Sequence, residues 1–394
     1  MRVGINLTQL LSGRIGGTET YVRALLKNIQ EVDGQDRYTL FCLPDDAIPI
    51  RVPNFEKITV GSTKANSSGL PYRVFRVALR SLLHYDILGH TIAQHRSKID
   101  LMHYPLSIIW PLPTISPAVL TLHDIQHEFY PEFFSRRELN FRKRAYPESV
   151  HMAARVIAIS EFTRQTIIEK YSFDPQRATT IYYGLDIKQF SSAQDQHQLL
   201  DIKAKRCLPD RFVFYPANSW PHKNHATLFS ALKILKDHRA LSFKLVLAGV
   251  IYPEQHGLMD QVCALGLADD ILHLGYVPHA EIPLIYKQAL CLVFPSLFEG
   301  FGAPVIEAMG SECPVICSNA TSLPEIVGDA ALTVEPRDAQ ALARALQQVA
   351  EDSALRQKLI RLGLGRAAKF SWAETARQTI AVYRAAYSQP MSVE

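Results

Sequence analysis

Short apolar runs alternate with amphipathic stretches along nearly the whole chain. Val3–Leu7 has the length and character of a buried strand, and a Gly16-Gly17 turn leads into a helical pattern over Glu19–Ile29. Tyr38–Leu43, Leu101–Tyr104, Ala118–Leu122 and Val156–Ile159 read as further strands. The pattern pauses after Leu185-Asp186. Residues 191–210 are polar and mixed in charge, and read as a linker or an exposed helix. It then restarts with Phe212–Tyr215, a helix over His225–Lys236, Lys244–Ala248 before Gly249, and Ile271–Leu274 before Gly275. Cys291–Phe294, Val315–Cys317 and Leu332–Val334 continue it, and a last helix is predicted near Trp372–Tyr387. Strands separated by helices, twice over, predict an α/β chain with two doubly wound, Rossmann-like domains.

Composition narrows the class. Hydrophobic residues make up 47% and charged residues 20% of the 394, as in soluble globular proteins. No apolar run approaches the roughly 18–20 residues that span a bilayer. The start of the chain lacks the apolar core and small-residue cleavage site of a signal peptide. A cytoplasmic protein is therefore expected. Six cysteines scattered over the chain form no disulfide framework. Cys313 and Cys317 flank Pro314-Val315-Ile316 and read as two packed thiols. The net charge of +4 is too mild for a nucleic-acid binder, so no nucleic-acid partner is expected.

The charge distribution says more than its sum. Arg73, Arg76 and Arg80 fall three and four apart beside a Val-, Phe- and Leu-rich stripe, the pattern of a basic amphipathic helix. A second cluster comprises Arg136-Arg137 and Arg142-Lys143-Arg144. Two readings stand: a solvated helix face, or a dock for an anionic membrane surface or a pyrophosphate-bearing acceptor.

The chemistry concentrates in Ser296–Ala308. Glu299 and Glu307 lie eight positions apart, with Gly300 and Gly302 between them and Pro304 at a helix start. A strand, a glycine loop and a helix N-terminus make an anion site, typically for phosphate. Helical side chains lean toward the N-terminus, so both carboxylates can face one crevice. Carboxylates do not bind phosphate. They must address other groups of the same ligand, such as sugar and ribose hydroxyls.

This stretch resembles the E-x7-E signature of retaining glycosyltransferases with the GT-B fold, family 4. Other segments resemble the family in order: His123-Asp124, Ile159-Ser160-Glu161-Phe162-Thr163, Tyr183-Gly184-Leu185-Asp186, His222-Lys223-Asn224, Leu274-Gly275-Tyr276-Val277 and Leu323-Pro324-Glu325-Ile326. The resemblance runs from about residue 3 to residue 385. It implies two Rossmann-like domains facing a central cleft, with the C-terminal helix crossing back to the first. The expected acceptor-binding domain is then residues 1–188 plus about 373–394, and the donor-binding domain is residues 189–372.

The resemblance also assigns roles. Lys223 is expected to neutralise the leaving diphosphate together with the Phe301-Gly302-Ala303 backbone. By spacing alone it is equally an exposed loop lysine. Many members carry an arginine six positions before this lysine. Here Ala217 stands there, followed by Asn218, which joins Val277 and Gly300 among the expected donor contacts. Glu299 is expected at the sugar hydroxyls, orienting the ring rather than attacking it, and Glu307 at the ribose. His123, after the strand Ala118–Leu122, is expected to donate a hydrogen bond to the sugar and respond to its charge. A zinc reading of His123 and His127, four apart, lacks a third ligand and begins at a strand end. Gly16 and Gly17 read as a backbone nest for the ligand or as a tight turn.

The expected activity is retaining transfer of a hexose, mannose first, from a nucleotide-diphosphate sugar to a hydroxyl of a glycan or lipid-linked glycan. GDP-mannose is the first expectation for the donor and a UDP-sugar the second. No metal or other cofactor is expected, and the protein is placed in the cytoplasm, at the inner membrane face if the arginines dock. Rival readings are a GT-B epimerase or phosphorylase, and a binding protein that keeps the fold without catalysis.

Overall fold

The computed structural model describes residues 1–10, 16–43, 48–60, 87–112, 114–115, 117–191, 196–252 and 257–388. The chain divides into two compact units. Unit 1 is Met1–Tyr183 with Trp372–Glu394, and unit 2 is Gly184–Ser371.

Unit 1 is built on seven strands: β1 (Arg2–Asn6), β2 (Arg37–Cys42), β3 (Phe55–Thr59), β4 (Leu101–Tyr104), β5 (Ala118–Leu122), β6 (Arg155–Ala158) and β7 (Ala178–Thr180). Their order is 3-2-1-4-5-6-7, and every pairing is parallel. The sequence pattern predicts the central strands to within a residue at either end. It misses β3 and β7, the two edges. Edge strands bury less, and β3 reads Phe-Glu-Lys-Ile-Thr with only Phe55 buried.

The helix Gly17–Val32 buries Tyr21, Val22, Leu25, Leu26 and Ile29, one stripe at helical spacing. The C-terminal helix Trp372–Ser388 belongs to this unit and packs along it. Thr375 Oγ1 donates to the Tyr182 carbonyl at 2.8 Å, and Tyr383 OH meets His103 Nδ1 at 2.8 Å. The expected return of the last helix to the first domain is thus observed.

The basic segment 136–144 lies on a long helix, Arg136–Met152, although Pro147 interrupts its sequence. Ser135 caps it by accepting from the Glu138 N–H. Arg142 is not a free surface cation. It binds Glu138 at 3.0 Å and the Tyr146 hydroxyl at 3.1 Å, and lies over the Phe134 ring. Arg73, Arg76 and Arg80 lie outside the described residues. No described helix is long and apolar enough to cross a membrane.

Unit 2 repeats the plan with six parallel strands: β8 (Phe212–Pro216), β9 (Lys244–Ala248), β10 (Ile271–His273), β11 (Leu292–Phe294), β12 (Val315–Ser318) and β13 (Leu332–Val334), in the order 10-9-8-11-12-13. The segment read as linker or exposed helix is a helix, Gln196–Lys205, fastened to the unit. Its end and the next residue grip Glu281, Lys205 at 2.8 Å and Arg206 at 2.6 Å, while Ile202 is buried. Cys313 and Cys317 are buried free thiols, as expected.

Gly249 shows how tightly the strand ends approach one another. It follows β9 with φ +125°, and a Cβ there would lie 2.6 Å from the Ala217 carbonyl oxygen in the loop after β8. Backbone cannot yield as a side chain can. Gly249→Ala is expected to destabilise unit 2 by roughly 2–4 kcal/mol, from strained backbone and overpacking together. Thermal denaturation checks this, and an unchanged midpoint would contradict the close approach.

Candidate active site

In each sheet the strand order reverses between two neighbours, β1 and β4 in unit 1 and β8 and β11 in unit 2. Ligands of doubly wound folds sit at the carboxyl ends of strands at that switch point. The expected site residues of unit 2 follow β8 and β11, except Val277, which follows the edge strand β10.

After β8 the chain turns through Trp220, a 3₁₀ turn Pro221–Lys223 and Asn224. Asn224 adopts φ +59°, a left-handed conformation that asparagine tolerates. Its side chain donates to the Pro295 carbonyl at 2.9 Å and accepts from Thr227 Oγ1 at 2.8 Å. Tyr215 OH donates to the Lys223 carbonyl, and the Leu297 N–H donates to the His222 carbonyl at 2.7 Å. Lys223 is thereby fixed from β8, and its neighbour His222 from the loop after β11.

Its ammonium sits 2.6 Å from Glu299 Oε1 and 5.0 Å from the centre of the Phe294 ring. Both side chains are mostly covered, at 16% and 12% exposure. The sequence reading sends these two residues to different parts of one ligand, and the structure pairs them with each other. The Glu299 loop is held by its own neighbours. Thr321 Oγ1 accepts the Glu299 N–H and Ser322 Oγ donates to the Glu299 carbonyl, both at 3.0 Å. The run Leu323-Pro324-Glu325-Ile326 carried the sequence signal. The two hydroxyls just before it perform the anchoring and left no pattern to find.

Gly302 caps the helix Ala303–Gly310 with φ +93°, and a Cβ would lie 2.5 Å from Leu323 Cδ2. Pro304 stands at the second helical position rather than the first. The next turn carries Glu307, 3.5 Å from His279 Nε2. His279 had no signal in the sequence. The Glu307 carboxylate, through its hydrogen bond, holds the His279 pKa above its ordinary value, with burial opposing. Phe301 is buried against Phe370, so only its backbone is available to a ligand.

Asn218 ties two loops together. Its Oδ1 accepts the Val250 N–H at 2.8 Å and its Nδ2 donates to the Tyr252 hydroxyl at 3.3 Å. Val277 is buried to 7% exposure, beside the exposed Tyr276 at 72%.

In unit 1, Gly16 caps the helix Gly17–Val32 with φ +59°, and open space surrounds the Cβ position of both glycines. His123 follows β5 as expected, but its ring is only 7% exposed and both nitrogens are engaged. Nε2 lies 2.7 Å from the Pro105 carbonyl, which can only accept, so Nε2 carries the proton. Nδ1 then accepts from the Tyr183 hydroxyl at 2.6 Å. Burial lowers the His123 pKa and keeps the ring neutral. A sugar hydroxyl can take the Nε2 proton only by displacing Pro105. Among the described residues, no three His, Cys, Asp or Glu side chains cluster to hold a metal.

Comparison with known proteins agrees with this layout. The family Glycosyl transferases group 1 matches residues 201–364, and Glycosyltransferase Family 4 matches residues 15–189. The O-antigen chain mannosyltransferase B of Escherichia coli is 32% identical over 269 residues, covering 68% of this chain and 70% of that protein.

The chain belongs to the group 1 glycosyltransferases.

A second Escherichia coli relative, the serotype-specific mannosyltransferase WbdA, is 30% identical over 57% of this chain. The glycosyltransferase spans only 28% of that longer protein. Among solved structures, sucrose-phosphate synthase from Thermosynechococcus elongatus superposes with a TM-score of 0.76 at 21% identity, over 98% of this chain and 99% of that one. At that identity the likeness shows the fold alone, which is GT-B.

Proposed function

We propose that this glycosyltransferase moves mannose from GDP-mannose to a hydroxyl of a glycan or lipid-linked glycan, with retention of configuration. The observation that carries the reading is the Lys223–Glu299 pair at the carboxyl ends of β8 and β11. A diphosphate arriving at the helix start Ala303–Gly310 competes for the Lys223 ammonium. Glu299 is then released toward the sugar hydroxyls. One displacement thus places positive charge where the leaving group develops negative charge, and a carboxylate beside the electron-poor sugar. Glu307 accepts from the ribose hydroxyls. The mannosyltransferase relatives support mannose as the sugar. No resident cofactor takes part, and the acceptor is the first unit's ligand.

The test is incubation with GDP-mannose, UDP-glucose and UDP-N-acetylglucosamine, first by thermal shift and then with candidate glycan acceptors. A ligand at about 100 times its dissociation constant should stabilise by roughly 2.7 kcal/mol. Stabilisation by GDP-mannose and an α-linked product in the proton NMR spectrum are expected. A β-linked product would overturn retention, and stabilisation by UDP-sugars alone would overturn the donor. Glu307→Ala should raise the donor KM about tenfold with little change in kcat, because a ribose contact is similar in ground and transition states. A collapse of kcat at unchanged KM would exchange the roles of Glu307 and Glu299.

A further inference from the structure

The charged contact between His279 and Glu307 is extended by hydrogen bonds from a third residue within unit 2. Gln189, on the helix Ile187–Ser191, turns its side-chain amide onto His279. Gln189 Nε2 lies 3.1 Å from the His279 carbonyl and 2.9 Å from its Nδ1. The carbonyl oxygen can only accept, which fixes the amide orientation: the NH2 group faces His279. Nδ1 therefore accepts, and the proton of the neutral ring sits on Nε2. Nε2 is the atom that faces Glu307 Oε1, at 3.5 Å. The Phe190 ring meets the imidazole edge-on at 5.5 Å and restricts its rotation.

From this relay we propose that His279 is a positioning residue, holding Oε1 of Glu307 so that Oε2 is presented to the ribose diol of a nucleoside diphosphate. The proposal rests on the assignment of Glu307 to the ribose made above. A carboxylate has lone pairs on both oxygens, so a donor on one leaves the other to accept. An unrestrained glutamate loses rotamer freedom when it binds, and one already held loses less. The relay thus sets how strongly the enzyme prefers a ribonucleotide to its 2′-deoxy analogue, a quantity that general loosening of the unit would not change selectively.

The experiment measures binding of GDP and 2′-deoxy-GDP, or UDP and 2′-deoxy-UDP if these bind the wild type more tightly, by isothermal titration. The wild type should prefer the ribonucleotide about tenfold, the worth of a hydrogen bond to a charged group. In Glu307→Ala that preference should vanish. His279→Ala and His279→Asn should reduce it to about threefold or less. His279→Gln, whose amide nitrogen reaches the position of Nε2, should restore it. Gln189→Ala removes the anchor while keeping the imidazole, and should fall between wild type and His279→Ala. It also serves if the His279 variants do not fold. An undiminished preference in His279→Ala or, failing that, in Gln189→Ala, with the preference lost in Glu307→Ala, overturns the relay and leaves the ribose assignment standing. An undiminished preference in Glu307→Ala overturns the assignment itself.

Discussion

Lys223→Ala is expected to lower turnover about 10²–10³-fold at saturating donor, the usual loss when a preorganised charge at a leaving group is removed. The expectation follows from where the ammonium sits. It is largely covered, placed over the Phe294 ring, and fixed through its own backbone by Tyr215 and by Leu297 at the neighbouring position. In such surroundings a charge acts at reduced dielectric and needs no reorganisation as the bond breaks. Ala217, six positions before Lys223, supplies no second cation, so less compensation is available and the upper part of the range is expected. The variant also leaves Glu299 largely covered without its partner, which destabilises the site. Turnover must therefore be scaled to the folded fraction, measured by circular dichroism on the same sample. Lys223→Arg separates charge from geometry: it keeps the charge but spreads it over a fork that the single ammonium position does not match. Near-normal turnover in Lys223→Ala would remove the diphosphate role altogether.

Much of this architecture was legible in the sequence because parallel sheets are buried on both faces. Their strands appear as short continuous apolar runs, and β4, β5, β9 and β13 begin and end where those runs do. The glycine loop before Ala303 was legible for a related reason. A left-handed cap pressed against Leu323 leaves little choice of residue at Gly302. What stayed hidden was side-chain pairing across distant positions. Lys223 and Glu299 are 76 residues apart, and nothing in the spacing of either says that they meet. His123 was placed correctly at the end of β5. That both its nitrogens would be taken depends on Pro105 and Tyr183, which carry no pattern of their own. Gln189, His279 and Glu307 come from three separate elements, so only the folded unit brings them into line.

Unit 1 is expected to lose stability steeply in mild acid. His103, His123 and His127 are buried in it, and burial lowers all three pKa values, to about 3 for His103 and about 4 for His127. His123 adds to this on His103 and Arg142 on His127, while Asp124 opposes it on His127 and the Pro105 carbonyl and Asp124 oppose it on His123. In the unfolded chain each imidazole takes up a proton near pH 6.5, and in the folded unit it does not. A depressed pKa of this kind gives stability that is complete above about pH 6.5. It is lost as the pH falls from there toward the folded values. One such proton is worth about 1.4 kcal/mol per pH unit, so His103 and His127 together give roughly 3 kcal/mol per pH unit, and His123 adds to it in the same direction. Unit 2 has two such groups, His222, lowered to about 2, and His225, lowered to about 4, each by burial first and then by Lys223. His279 runs the other way, since its raised pKa gives stability below about 6.5 that is lost as the pH rises through the raised value. Urea unfolding at pH 7.5, 6.5 and 5.5 tests the acid loss in unit 1. In a Trp220→Phe background the remaining tryptophans, Trp110 and Trp372, report unit 1 alone. His127→Phe isolates one proton. The ring of His127 packs 4.6 Å from Tyr146, and its Nδ1 has no hydrogen-bond partner among the described residues. Phenylalanine keeps the apolar contact and should flatten the acid slope by about 1.4 kcal/mol per pH unit. Equal stability at pH 7.5 and 5.5, or an unchanged slope in His127→Phe, would mean that these imidazoles are already charged in the folded unit.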